Sequence, residues 1–329
     1  MTALLPEFRL AHPRNIAEAI AARSEHPDSR FIAGGSDLLV NLRHGLGRPD
    51  LLIDLSGIDE LAEIDTGDGG MRIGAGVTIA ALARHPTIAA HYRAAKQAAE
   101  AIAGPGHRVM GTVGGNLCLD TRCIFYNQSE WWRRANGYCL KHRGEICHVA
   151  PQGKRCHAAF TGDLAPALLA LGAEVEIAGA DGKRRIPLEK LYVEDGLAHL
   201  AFAADELVIA VHLPASPPPS MYSKVRVRGA IDYPLAGVAV ALSVADGWVK
   251  SLRIGLTGTN SRPFVLAGTD AIIGRPIDEK ALQAIDRLVQ KQVQPMRTTV
   301  VSAHYRRLAA AALARRLAAA LFCGNQMTA

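Results

Sequence analysis

Apolar positions along the chain fall into short clusters, and their spacing switches between the period of a helix and that of a strand. Ile16, Ala19 and Ile20 recur at helical spacing behind Asn15, with Glu18 three residues beyond that cap, so a helix opens there. Phe31-Ile32 is a short apolar strand that runs into Ala33-Gly34-Gly35-Ser36-Asp37 and on into a helical pattern carrying Leu38, Leu39 and Leu42. Strands are predicted over Leu51–Leu55 and Met71–Ala75, and Thr78 caps a helix through Leu82. An alanine-rich helix is predicted from about Tyr92 to Ala103, stopped by Gly104-Pro105. Further on come a helix from Leu164 to Leu171, a hairpin of Val175–Ala178 with Arg185–Leu188 around Asp181-Gly182, and a strand from Leu207 to Val211.

Pro214-Ala215-Ser216-Pro217-Pro218-Pro219-Ser220 then breaks the pattern as a stiff, extended linker and marks the domain boundary. After it, Gly237–Val244 and Val249–Leu256 form a hairpin around Asp246-Gly247, followed by two helices. The last of these starts at Ser302 and carries Leu308, Leu313 and Leu317, with Arg306, Arg307, Arg315 and Arg316 expected on a solvated face. The organisation is thus a domain over 1–214, a linker over 215–220 and a second domain over 221–329.

Composition narrows the class. The 329 residues are 49% hydrophobic and 21% charged, as in a globular protein with a sizeable core. The start of the chain lacks the pattern of a secretory signal and no segment approaches a membrane span, so a cytoplasmic protein is expected. A net charge of +6 spread along the chain, without a basic stripe interleaved with aromatics, argues against nucleic-acid binding. Six cysteines in a reducing compartment point to metal or free thiols rather than a disulfide framework.

The chemistry concentrates between Gly111 and Asp163. Thr112-Val113-Gly114-Gly115-Asn116 is a second glycine turn, in which bare backbone can come close to a phosphate and a side chain at Gly114 would block approach. Asn116 and Asp163 can bind hydroxyls beyond it, which suits a dinucleotide. Asp163 can equally be no more than the N-cap of the helix at Leu164. Between these flanks, from about 121 to 158, the composition changes: Cys123, Cys139, Cys147 and Cys156 lie among Trp131, Trp132 and seven basic residues (Arg122, Arg133, Arg134, Lys141, Arg143, Lys154, Arg155) against Glu130 and Glu145. Intervening stretches of 15, 7 and 8 residues between the cysteines match no compact ferredoxin run. From spacing alone the four could hold zinc, with His142, His148 or His157 replacing one of them, or an iron–sulfur cluster, or be free thiols. The excess of cations would offset a negative cluster and steer an acidic donor, or simply solvate a loop. Cys118 and Cys323 read as buried thiols.

The motifs at Ala33–Asp37, Thr112–Asn116 and Asp163–Leu171, together with Lys224, Asp232 and Ser302-Ala303-His304-Tyr305-Arg306, resemble the FAD-binding medium subunits of the xanthine oxidase family of molybdenum hydroxylases, including the flavoprotein of carbon monoxide dehydrogenase. The resemblance covers nearly the whole chain. Most such subunits lack the cysteine segment. With Thr121-Arg122-Cys123-Ile124-Phe125-Tyr126-Asn127-Gln128-Ser129-Glu130-Trp131-Trp132 it is similar to the 4-hydroxybenzoyl-CoA reductase branch, whose β subunits hold an extra [4Fe–4S] cluster at this point.

The resemblance implies an α+β fold: an FAD-binding domain of two α/β subdomains (PCMH type) and a C-terminal α+β domain like that of the CO dehydrogenase flavoprotein. It implies that Ile32, Ala33, Gly34, Gly35, Ser36, Asp37, Thr112, Val113, Gly114, Gly115 and Asn116 line the FAD pyrophosphate and ribityl chain, with Asp163 on a hydroxyl, Lys224 near the flavin, and Ile102 and Val208 as apolar flavin neighbours. Core packing accounts for Ile102 and Val208 equally well. It implies Cys123, Cys139, Cys147 and Cys156 as cluster ligands. The implied partners are a molybdenum-cofactor large subunit, a [2Fe–2S] small subunit in a heterotrimer that dimerises, and ferredoxin as donor, within anaerobic aromatic degradation. Rival readings are an ordinary molybdenum hydroxylase subunit with a structural metal site, and a flavin-free scaffold; the chain carries no nucleophile with a base and no Walker loop of its own.

Overall fold

A computed structural model describes residues 4–67 and 69–326, in which twelve strands form three sheets. The first sheet is parallel and small: β1 (Arg9–Ala11) and β2 (Arg30–Ile32) flank β3 (Leu51–Asp54). The helix Ile16–Glu25 packs Ile16, Ala19 and Ile20 onto Leu51 and Ile53 of this sheet. As its sequence predicts, the Asn15 side chain accepts from the Glu18 N–H at 2.9 Å, but Glu18 reaches back to the Arg14 N–H rather than to that of Asn15.

The second sheet is antiparallel, with β4 (Ile64–Gly67), β5 (Gly70–Gly74), β6 (Glu174–Gly179), β7 (Gly182–Pro187) and β8 (Leu207–Leu213) in the order β4-β5-β8-β6-β7. Central β8 is buried on both sides. Leu207 and Ile209 join the core under the first sheet, while Val208, Val211 and Leu213 join the core beneath the helices Ile79–Arg84, Arg93–Ala101 and Leu164–Ala170. The alanine-rich helix is shorter than its composition suggests. It begins after a separate turn of helix at Pro86–His91 and stops two residues before Ala103, which takes a left-handed φ of 43°.

Four antiparallel strands make the third sheet, β9 (Ser220–Val225), β10 (Ala236–Ala245), β11 (Trp248–Thr257) and β12 (Phe264–Val265). The alternation along β10 sorts by size: Val238, Val240 and Leu242 meet the helices Glu279–Gln292 and Ala303–Gln326, whereas Ala239 and Ala241 share a core with the helices of the first domain. Small side chains let that face approach closely. The proline-rich connector is accordingly docked rather than free: Tyr92 Oη donates to the Pro214 carbonyl at 2.7 Å, and Gln97 Oε1 accepts from the Tyr222 N–H at 2.8 Å.

The last helix departs from expectation at its arginines. Arg306 is fully buried, not solvated, and donates to the carbonyls of Leu235 (3.0 Å), Met296 (2.8 Å) and Gly258 and to Thr298 Oγ1 at 3.1 Å. Burial lowers its pKa to about 10, still protonated at neutral pH. Leu308, expected in the core, is exposed, whereas Leu313 and Leu317 are buried. Replacing Arg306 with Met leaves the Leu235 and Gly258 carbonyls without donors, while the Met296 carbonyl keeps the Thr298 N–H at 2.7 Å, and we expect a loss of roughly 2–5 kcal/mol in urea unfolding, against less than about 0.5 for exposed Arg316→Met. Equal stabilities for the two variants would show that the buried network contributes nothing.

Candidate functional site

The two glycine turns meet. A Cβ built on Gly34 would lie 1.7 Å from the Met110 carbonyl oxygen, so only glycine permits the first turn to abut the segment that leads into the second. Gly35 has a φ of 64°, a conformation that glycine adopts without steric cost. Among the described residues, the amides of Gly34, Gly35, Ser36 and Asp37 make no hydrogen bond and stand ready for an anion.

The second turn is used differently. Thr112 Oγ1 caps the helix Val113–Leu117 by accepting from the Gly115 N–H at 3.1 Å, while the amides of Val113 and Gly114 go to the carbonyls of Val77 (2.9 Å) and Ala75 (2.8 Å) and that of Asn116 to Thr112. These donors are committed to the fold. What the turn contributes to the cavity is close approach at Gly115, which is exposed and carries no side chain.

Between the turns opens a cavity of about 1060 Å³, at the upper end of the size usual for cofactor sites. Ile32, Ala33, Gly34, Gly35, Ser36, Asp37, Ile102, Thr112, Gly115, Asn116 and Asp163 line it. Val113, Gly114, Val208 and Lys224 do not: Val113 and Val208 are core residues, Gly114 packs on Ala75, and Lys224 lies behind Asp163. Lys224 Nζ sits 2.9 Å from Asp163 Oδ1, which also accepts from Tyr222 Oη at 2.6 Å, and both charged side chains are about 5% exposed or less. Burial pushes the Asp163 carboxyl up, against the pull of Lys224 and the Tyr222 hydroxyl. Asp163 occupies the N-cap position of the helix Leu164–Ala170, but its side chain makes no capping bond; Asn116 Oδ1 accepts from the Leu164 N–H at 3.0 Å instead.

Other contributors carry no sequence motif. The oxygens or nitrogens of Ser29 (Oγ), Thr161 (Oγ1) and His199 (Nε2) are buried without a partner on the cavity wall, as expected of groups awaiting a polar ligand. Burial, then the nearby Lys141 charge, lowers the His199 pKa to about 4, so the ring is neutral at pH 7. Tyr233, from the second domain, donates to Asp37 Oδ1 at 3.3 Å and lies under the Arg122 guanidinium, which also pairs with Asp37. The free amides, orphaned polar atoms and size of the cavity fit FAD.

The segment 121–158 leaves and re-enters the fold at one point. Arg122 and Ala159 exchange two backbone hydrogen bonds of 2.7 and 2.8 Å, pinning its base shut. Within it, Cys123, Cys139, Cys147 and Cys156 are all buried and line one small cavity with Phe125 and Val149 among the apolar walls. Burial pushes the thiols of Cys123 and Cys156 up to about 12 and about 11. The Ala158 N–H lies 3.4 Å from Cys156 Sγ, a donor that stabilises a thiolate. Among the described residues, no three His, Cys, Asp or Glu side chains converge on a point where one ion would sit. Arg133, counted above with the basic residues that could steer a donor, is buried and bonds the carbonyls of Gln128 and His44. Of the remainder, Arg134, Arg143 and Lys154 are exposed, with Arg143 paired to Glu130 at 3.5 Å, and Trp131 is 72% exposed. Cys118 is half-buried on the dinucleotide cavity, and Cys323 is exposed, contrary to its expected burial.

A parallel subdomain and an antiparallel one enclosing a cavity, with free amides on one side and a buried acid on the other, define a dinucleotide-binding subunit. Residues 6–216 match the family described as the FAD binding domain in molybdopterin dehydrogenase, and residues 220–321 match the CO dehydrogenase flavoprotein C-terminal domain. The chain belongs to the FAD-binding medium subunits of the molybdenum hydroxylase family. It is 28% identical to the nicotine 6-hydroxylase medium subunit of Paenarthrobacter nicotinovorans, covering 92% of this chain and 93% of that one. It is 34% identical to the aldehyde oxidoreductase FAD-binding subunit PaoB of Escherichia coli K12, over 78% and 82% of the two chains. A chain in the crystal structure of the cyanide-inactivated Cu,Mo-CO dehydrogenase superposes with a TM-score of 0.80 at 26% identity, covering 97% of this chain and 99% of that one. No helix among the described residues is long and apolar enough to cross a membrane.

Proposed function

We propose that this FAD-binding subunit is the electron-entry module of a 4-hydroxybenzoyl-CoA reductase, in which Cys123, Cys139, Cys147 and Cys156 hold a [4Fe–4S] cluster. The convergence of these four buried cysteines on one cavity carries the reading. A tetrahedral zinc ion needs its sulfurs about 2.3 Å from one centre, whereas a cluster places its irons between sulfurs that stand further apart around a shared space. Apolar walls and the Ala158 amide suit the latter.

When bound, the cluster supplies single electrons and FAD exchanges one or two, which lets a one-electron donor feed a two-electron reduction. The residues of this chain bind and orient. The unbonded amides of Gly34–Asp37 would hold the diphosphate, Gly115 would admit it closely, and Thr161, Asn116 and Asp163, which line the same cavity, would take hydroxyl or ring contacts. Lys224 and Tyr222 hold Asp163 in one orientation. His199 stays neutral, and its unpartnered Nε2 is free to hydrogen-bond a ligand.

In this proposal the chain works in the cytoplasm with a molybdenum-cofactor large subunit and a [2Fe–2S] small subunit, which carry electrons on from FAD, and reduced ferredoxin docks against the cysteine segment, whose exposed cations include Arg134 and Lys154. Removal of the phenolic hydroxyl, giving benzoyl-CoA and water, takes place on the large subunit. The similarity to nicotine 6-hydroxylase and CO dehydrogenase medium subunits favours a second reading, an outward-running hydroxylase subunit whose cysteines hold a structural metal. The purified complex separates the two: we expect benzoyl-CoA from 4-hydroxybenzoyl-CoA with a low-potential donor, and iron beyond that of the small subunit. Zinc in place of that iron, or no turnover with the thioester, sinks the reductase reading.

A further inference from the structure

The wall between the cysteine cavity and the FAD cavity contains a buried charge. Lys141 and Tyr126 line both spaces. The Lys141 side chain is 4% exposed, and its ammonium donates to Asp120 Oδ1 at 2.6 Å, to the Thr121 carbonyl at 3.1 Å and to Thr121 Oγ1, while resting 4.4 Å from the centroid of the Tyr126 ring. Thr121 is itself fixed by donating to the Gly196 carbonyl at 2.5 Å. Three oxygen partners and an aromatic face hold the nitrogen in one place. The Asp120 side chain, which also lines the FAD cavity, is 32% exposed, so solvent screens its charge more than that of the lysine.

A fixed, poorly screened cation beside a redox site stabilises whichever state carries more negative charge, which is the reduced one. We propose that Lys141 is an electrostatic positioning residue that raises the reduction potential of the iron–sulfur site held by the four cysteines, and that Asp120 partly opposes it. The inference rests on the reading of those cysteines as cluster ligands. A lysine kept only to fill the wall would be replaceable by a neutral side chain of similar length.

The test uses the whole complex, with iron and flavin content measured beside a redox titration followed by low-temperature spin resonance. In Lys141→Met we expect both cofactors retained and the midpoint of the cluster in this subunit moved to more negative potential; Lys141→Arg restores it. Asp120→Asn should shift the midpoint the opposite way, which a purely structural role would not produce. Unchanged midpoint in Lys141→Met with iron and flavin in place overturns the proposal, as do shifts of the same sign in both variants. Should Lys141→Met lose its iron, Asp120→Asn decides: a positive shift supports the charge argument, and no shift or a negative one refutes it. A wild-type complex without a cluster in this subunit removes both this inference and the reading beneath it, and is told apart by iron content alone.

Discussion

Cys139→Ser should strip about four iron atoms per chain from the purified complex while leaving FAD in place, and Cys118→Ser should leave iron untouched. The contrast follows from where the sulfurs lie. Cys139 is buried on the small cavity with Cys123, Cys147 and Cys156, inside a segment whose base is closed by the Arg122–Ala159 backbone pair. Cys118 stands on the dinucleotide cavity, outside that segment, and burial pushes its thiol up to about 12, so it is an uncharged thiol at neutral pH. Cys139 itself does not line the dinucleotide cavity and the glycine turns lie outside the segment, so FAD is expected to stay bound. Iron analysis and low-temperature spin resonance on the two variants read the outcome. Equal loss in both, or in neither, overturns the ligand assignment.

Gly115→Val should abolish tight FAD binding without unfolding the chain. Its amide and φ belong to a helix, its face is exposed to the cavity, and the sole close neighbour of a new Cβ is Thr112 Oγ1 at 3.0 Å, so the added bulk projects where the dinucleotide must lie. Gly114→Val is a poorer probe than its place in the motif suggests. Its Cβ would come 2.8 Å from that of Ala75, and the variant damages packing before it tests binding. Flavin absorbance of the purified subunit should fall to less than roughly a tenth of the wild-type content for Gly115→Val, which from about nine-tenths occupancy takes a weakening of roughly 80-fold, about 2.6 kcal/mol of binding. Full flavin occupancy in that variant would mean that the phosphates lie elsewhere.

The glycine turns illustrate what a sequence can and cannot reveal. Both read as phosphate-binding backbone, and the first has free amides, but the donors of Val113 and Gly114 are consumed by Val77 and Ala75. A tight turn looks the same whether its N–H groups face an anion or a neighbouring carbonyl. The hairpin of β10 and β11 was legible because apolar alternation and Asp246-Gly247 agree; Asp246 and Gly247 both have positive φ. Arg306 was not, since periodicity places an arginine on a face without telling whether carbonyls from three other segments gather over it. Val208 and Ile102 sit in similar apolar patterns, yet only Ile102 reaches the cavity. Lys141 and His199 carry no motif at all, and Thr161, two residues before Asp163, has no feature that sets its hydroxyl apart; their placement depends on contacts between distant segments.

The pairing of Asp163 with Tyr222 and Lys224 crosses the boundary between the domains, as does the core that Ala239 and Ala241 complete. A fragment ending before β9 would therefore bury a carboxylate with no counter-ion and expose an alanine-bound helical face to water, and a fragment beginning there would lose the acid its lysine is built around. Ligand binding to the first domain is thus thermodynamically linked to the integrity of the second. Free energy gained when the dinucleotide settles against Asp163 is felt by strands that never touch it, so melting of the C-terminal sheet reports on the occupancy of a cavity formed largely by the other domain.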